Sequence, residues 1–327
     1  MINIKELAVK IKEQGYNEEQ LEAKLCQDII LYLISKSRFK YNITIKGGVV
    51  IRDLSNSNRR ATLDLDFDLI RYPLTDNGII ELVEGLNNID NITLKITKAI
   101  EPLKHQDYNG KRIFIEIKDS FSNTLTCKLD IGVHKHLSID QDEYCFELSS
   151  SNESITLFIN SKEQILVEKL KSLIRFGIFS TRFKDIYDIH FLSNIVDKNK
   201  LLFCLEDLIF NDELIRTNNI NEIINRLEKI FTNKIYLKNL ATSKRNWLDI
   251  KDDIILSDII NFFKTLWKGT VKKNKLMNFH QFIGTTVPFS FINSYIILPK
   301  TLSLSIILDT YSQCFPSITF NSILLSS

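Results

Sequence analysis

The sequence predicts an α+β fold, a mixed sheet with its helices followed by a helical region. Two observations carry this. Strand-like patterns of period two are confined to about the first 160 residues, and beyond them apolar positions recur at helical spacing. A third observation supports it: no proline interrupts positions 103–287, as suits long helices. The division that follows is 1–160, 161–276 and an uncharged tail, 277–327.

The elements follow in order. Leu21, Leu25, Ile29 and Leu33 recur every fourth residue and predict a helix over 17–36. Tyr41–Ile45 reads as a short strand running into Gly47-Gly48, and Val49–Leu54 as the helix opening at that turn. Ser55–Asn58 is a loop, and Leu63–Ile70 alternates as a strand ended by Pro73. Gly78–Asn88 predicts a helix with Ile80, Leu82, Val83 and Leu86 as its apolar positions. Ile92–Ile100, Arg112–Lys118 and Leu125–Val133 read as strands, with Asn109-Gly110 as a hairpin signal. Helices are predicted over 161–176, 185–192, 201–210, 220–231 and 254–266.

Composition bounds the function. The chain has 327 residues, 44% apolar and 25% charged, with a net charge of +2, so any nucleic-acid surface is a local patch. Five scattered cysteines without a C-x-x-C pair predict free thiols in a reducing compartment. The start carries no secretory pattern, which predicts a cytoplasmic protein. The tail has Lys300 and Asp309 as its charged residues and no cleanly apolar run long enough for a membrane span; no function is assigned to it.

Chemistry concentrates at Lys46-Gly47-Gly48 and Asp64-Leu65-Asp66. Residues i and i+2 of a strand share a face, so Asp64 and Asp66 aim two like charges at one spot, where a cation relieves the repulsion. Oxygen donors alone favour Mg²⁺ or Mn²⁺ over zinc. Asp130, in an apolar strand, is the candidate third carboxylate. The glycine pair allows close backbone approach to a phosphate. Asp68 continues the alternation. A lone D-x-D is common, and the glycines and Asp130 are what raise this one to metal-assisted nucleotidyl transfer.

A second cluster joins Glu168-Lys169-Leu170 with Arg182-Phe183-Lys184-Asp185-Ile186-Tyr187-Asp188. Lys169 can reach a triphosphate as a point charge, or pair with Asp185 in a surface ion network. Between Lys234 and Lys275, ten Lys or Arg face four Asp, with Trp247 and Trp267 nearby. This stretch suits an RNA backbone and a stacked end base, or a solvated helix face with core tryptophans. His105, His134, His136 and His190 are read as loop or surface histidines, and Cys127 as a core residue.

Five ordered motifs over about residues 20–195 resemble the AbiEii/AbiGii-type nucleotidyltransferase toxins of type IV toxin–antitoxin and abortive-infection pairs. They stand as Ile45-Lys46-Gly47-Gly48, Arg60-Ala61-Thr62-Leu63-Asp64-Leu65-Asp66-Phe67, Lys128-Leu129-Asp130-Ile131, Glu168-Lys169-Leu170 and Lys184-Asp185-Ile186-Tyr187-Asp188. Thr62 replaces the family's usual Ser and keeps the hydroxyl. Fifteen residues from Gly48 to Asp64 make a longer spacing than usual, absorbed by the Ser55–Asn58 loop. The tail does not resemble the family.

The resemblance implies a DNA polymerase β-like domain with Asp64, Asp66 and Asp130 as catalytic metal ligands. It implies a nucleotide site of Gly47, Gly48, Arg60, Thr62, Lys169, Lys184, Asp185 and Asp188. It further implies Mg²⁺ or Mn²⁺, a nucleoside triphosphate donor, an RNA acceptor such as the tRNA 3′ end, and a winged-helix antitoxin encoded nearby. The alternatives are a nucleotidylyltransferase acting on a small molecule and a catalytically silent nucleotide- or RNA-binding homologue.

Overall fold

The computed structural model describes residues 2–103, 110–149 and 154–284. Asn109 of the predicted hairpin turn, His105 and the tail beyond Gly284 lie outside these residues. The segment Met1–Lys268 forms one unit, and a second begins at Gly269. No helix of the described residues is long and apolar enough to cross a membrane.

The first unit is α+β, with a mixed sheet as expected. Its eight strands are β1 (Ile43–Lys46), β2 (Leu65–Leu69), β3 (Thr93–Ile96), β4 (Glu101–Pro102), β5 (Lys111–Lys118), β6 (Thr124–Val133), β7 (Asp142–Phe146) and β8 (Ile155–Ile159). The order is β3-β5-β6-β2-β1-β8-β7, with β4 paired to β5. Two pairs, β2 with β6 and β1 with β8, are parallel; the others are antiparallel.

Alternation sorts the side chains into two faces. Ile43, Ile45, Leu65, Phe67, Leu69, Ile113, Ile115, Ile117, Leu129 and Ile131 are buried on one face. Helix α1 (Ile4–Glu13) packs on helix α2 (Glu18–Lys36), which packs on β6 and β8. Asn17 caps α2 in a reciprocal capping box with Gln20, satisfying two otherwise unpaired backbone donors. Helix α2 is less amphipathic than its spacing predicts: Lys24, Gln27 and Asp28 are buried along with Leu25, Ile29 and Ile30. Lys24 and Asp28 pair at 2.5 Å one turn apart, which makes their burial tolerable.

Helix α3 (Gly48–Ser55) starts at the glycine turn, and α4 (Asp76–Gly85) follows β2. In α4 the inward position is Ile79 at 0% exposure, whereas the expected Ile80 is 40% exposed. Leu82, Val83 and Leu86 are buried, and Ile80 stands about 100° round the helix from Ile79.

The second half is helical: α5 (Lys162–Phe176), α6 (Lys184–Ser193), α7 (Lys198–Leu205) continued by a π-turn (Glu206–Phe210), α8 (Ile220–Phe231), α9 (Lys234–Thr242) and α10 (Asp252–Gly284). Five elements, α1, α9, β4, β7 and β8, go beyond the sequence reading. Of these β8 bears on the site. It lies parallel to β1 and leads through Asn160 and the N-cap Ser161 into α5, which carries Lys169.

Candidate active site

The site is a row of charges laid across four strands. Lys46 of β1 is the register partner of Asp66 on β2, and Asp66 is that of Asp130 on β6. Asp130 in turn stands opposite Arg112 of β5. Since the sheet's other face is apolar core, these four polar side chains share the opposite face. Asp64 precedes β2 by one residue and pairs with Lys128. Asp68, one step beyond Asp66, is buried and pairs with Lys46 at 2.6 Å.

The carboxylates differ in their partners. Arg112 grips Asp130 as a fork, Nε to Oδ1 at 2.7 Å and Nη2 to Oδ2 at 2.7 Å. Asp66 is pushed up to about 6 by burial, with Asp130 and Asp64 adding to the rise and Lys46 and Lys169 opposing it. Its ionised form therefore lacks enough compensating charge. Among the described residues no three His, Cys, Asp or Glu side chains converge as a ready metal-binding group. Asp64 and Asp130 are instead turned to Lys128 and Arg112. The donor set is nonetheless right for a hard divalent cation: three carboxylates on one sheet face, with Asp66 destabilised by the other two.

Gly47 and Gly48 lie against this row. Gly47 has φ +71°, a region L side chains rarely adopt, and a Cβ on it would come 2.8 Å from Asp66 Oδ2. A Cβ on Gly48 would come 2.6 Å from Thr62 Oγ1. Both positions are thus closed to side chains, and Thr62 packs directly on the turn. Gly47 is the N-cap of α3 and supplies no side-chain hydrogen bond. The first N–H groups of α3 are therefore left to an outside acceptor, which suits a phosphate.

The second cluster is buried rather than on the surface. Arg60 forks onto Asp188, Nε to Oδ1 at 2.6 Å and Nη2 to Oδ2 at 2.7 Å, with both side chains inaccessible. Lys169 is held by Asp185 at 2.6 Å and by Asp188 at 2.9 Å. The pairing of Lys169 with Asp185 weighed from sequence is thus present, but in the interior. Burial disfavours the Lys169 ammonium, yet Asp185 and Asp188 outweigh it and hold the amine above its ordinary value. Burial likewise raises Asp188, and Lys169 and Arg60 bring it below the ordinary value. Arg182, more exposed, binds Asp185 Oδ2 at 2.7 Å and feels the charge of Asp66. Lys184 donates to the Ala61 carbonyl at 2.9 Å and is lowered to about 8, by burial first and by Arg60 next. The network ties α5 and α6 to the loop that carries Arg60, Ala61 and Thr62.

Trp247 belongs to this network and not to an RNA surface. It is 6% exposed, and its indole N–H donates to Asp188 Oδ1 at 3.0 Å. Trp267 is half-buried against the core. The histidines have protein partners: His134 contacts Gln141 at 2.7 Å, His136 Asp207 at 2.6 Å and His190 Asp258 at 3.1 Å.

Arg112, Gln27 and Arg52 lie outside the sequence motifs, and Lys128, which opens the third motif, gains its role only from the fold. Arg112 and Lys128 neutralise Asp130 and Asp64; alternation along their strands was the available signal, once strand pairing is known. Gln27 of α2 donates to the carbonyls of Thr62 at 3.0 Å and Asp64 at 3.3 Å, and Arg52 of α3 donates to its amide oxygen. This fixes the loop entering β2 from behind.

A family model described as nucleotidyl transferase AbiEii toxin, type IV TA system, matches residues 29–264. The chain belongs to the AbiEii family. It is accordingly a nucleotidyltransferase of a type IV toxin family, whose members act on nucleoside triphosphates and have antitoxin partners. The match spans both charge clusters, from the sheet row to the Asp185–Asp188 helix. No curated protein matches the chain. Among solved structures, an antigenic nucleotidyltransferase-like protein from Paracoccidioides brasiliensis is similar at 18% identity. The similarity covers 68% of this chain and 93% of that one, with a TM-score of 0.38.

Proposed function

We propose that this AbiEii-family enzyme moves a nucleotide from a nucleoside triphosphate to the 3′ end of an RNA, with tRNA as the acceptor that stops growth, in the cytoplasm where both substrates reside. In this reading residues 1–160 carry the chemistry and the helices of 161–276 shape the nucleotide and RNA side. A neighbouring winged-helix antitoxin is its partner, and phage defence its biological setting. The reading is carried by one observation: three carboxylates share a sheet face with a glycine turn and an uncapped helix N-terminus.

Asp64, Asp66 and Asp130 would hold Mg²⁺ or Mn²⁺. A cation bound there supplies charge neutralisation at the α-phosphate and the departing pyrophosphate. The chain's own groups do the rest. The N–H groups at the start of α3 bind the triphosphate, and the side-chain-free turn at Gly47 lets it come close. Asp130 takes the proton of the acceptor hydroxyl as that oxygen bonds to the α-phosphorus and the bond to pyrophosphate breaks. The buried network of Arg60, Lys169, Asp185 and Asp188 holds the loop of Thr62 rigid against α3.

The test is end labelling. Purified protein is incubated with Mg²⁺, each labelled triphosphate in turn and total tRNA, beside the Asp66→Asn variant. Label on RNA that needs the metal and is lost in the variant supports the proposal. Label carried by the variant, or by wild type under chelator, refutes the mechanism. Label on small hydroxyl compounds but on no RNA would move the acceptor to that class.

A further inference from the structure

We propose that the open face of strands β3, β5 and β6 is the platform on which a single-stranded RNA 3′ end lies, with Phe114 stacking a base beside the reacting end. This deepens the RNA-acceptor reading and rests on it.

The surface continues the catalytic row. Phe114 is two residues along β5 from Arg112, the residue forked onto Asp130, and its register partner on β6 is Lys128, which pairs with Asp64. By strand geometry Phe114 shares the face of Asp130 and is diagonal to it, about 7–8 Å away between backbones. That is the reach of one nucleotide from the reaction centre. Further along, Glu116 stands opposite Lys95 and Thr126, and Lys118 opposite Thr93 and Thr124. Thr93, Lys95, Lys118, Thr124 and Thr126 are all exposed.

The two faces of these strands differ sharply. Ile113, Ile115 and Ile117 are each 0% exposed on the covered side. On the other side the half-buried Phe114 ring stands beside lysines, a composition suited to neither core nor ordinary solvated surface. Arg112 and Lys128 are held by Asp130 and Asp64, and Lys95, Lys98 and Lys118 stand with two acids, Glu101 and Glu116. Lys98 lies over the Phe114 ring at 4.2 Å from its centroid. An exposed lysine on a ring face holds a place that an incoming base can take, after which the ammonium is free for the adjoining phosphate. A flat sheet with a stacking aromatic and flanking cations suits an unpaired strand, whose bases are free to splay, rather than a duplex. The buried Trp247 cannot fill this role.

The experiment measures binding of a fluorescein-labelled single-stranded RNA of about 12 nucleotides by anisotropy, and transfer onto it, for wild type, Phe114→Ala, Phe114→Tyr and Lys95→Glu/Lys98→Glu. Phe114→Ala is expected to weaken RNA binding about tenfold or more, with the KM for the triphosphate unchanged, and Phe114→Tyr to restore it. The double variant is expected to reduce the salt dependence of binding. Wild-type affinity in Phe114→Ala, or loss in Phe114→Tyr equal to that in Phe114→Ala, overturns the platform. The two readings fail separately. RNA bound through Phe114 but never extended sinks the transfer to RNA and keeps the platform, whereas RNA extended normally by Phe114→Ala does the reverse.

Discussion

Asp66 on β2 and Asp130 on β6 are direct register partners across a parallel strand pair, so two carboxylates that should repel are held side by side by the sheet itself. Backbone pairing sets their separation, and the side chains can only adjust around it. The strain shows in Asp66, raised to about 6 by burial and by its acidic neighbours.

The first consequence is a pH dependence of stability. The folded-state value of Asp66 lies above its ordinary value, so its stabilising contribution is complete below about pH 3.8 and is lost as pH rises through about 6. Asp66→Asn lacks this loss. In metal-free buffer the variant is expected to gain on wild type between pH 4 and pH 6, reaching about 3 kcal/mol at neutral pH. Urea melts at a series of pH values measure it; parallel curves would show that Asp66 is not strained.

The same argument runs in reverse for a bound cation. Mg²⁺ or Mn²⁺ is expected to raise Tm at pH 7.5, where Asp66 is ionised, and to do so less at pH 5, where it is protonated. Thermal scans with the metal and with chelator, repeated on Asp66→Asn, check both parts. Equal stabilisation of wild type and variant would place the cation elsewhere.

Gly48→Ala brings a Cβ to 2.6 Å from Thr62 Oγ1 and 2.8 Å from Thr62 Cβ. The turn or Thr62 must move, at a cost of about 1–3 kcal/mol. Triphosphate binding, followed by calorimetry, is expected to weaken by at least tenfold. Adding Thr62→Ala should recover only part of it, because the Cβ contact remains.

Asp188 receives Arg60, Lys169 and Trp247 in the interior. Asp188→Asn leaves two buried cations short of a counter-charge and is expected to cost about 3–5 kcal/mol. Arg60→Lys should also destabilise, since an ammonium cannot reproduce the two-pronged contact. Chemical denaturation reads both. A loss of activity at unchanged stability would instead mean that Asp188 acts on the nucleotide directly.

Much of this protein is local and therefore readable along the chain. Alternation by itself puts Asp64, Asp66 and Asp68 on one face, because a strand has period two. The glycine pair marks its turn because no other residue fits there, and the apolar stripes place most helices. What the folded chain alone decides is who stands next to whom. Lys46 and Asp130 flank Asp66, and Arg112 stands beyond Asp130, through strand pairings that join positions as far apart as Asp66 and Asp130, 64 residues. Lys169 looks solvent-facing in sequence and Trp247 could be either surface or core; both are interior because both reach Asp188. Phe114 is one more alternating strand residue until pairing sets it, half-buried, on the face of Arg112 and Lys128. Register and burial come from long-range packing, which no local pattern encodes.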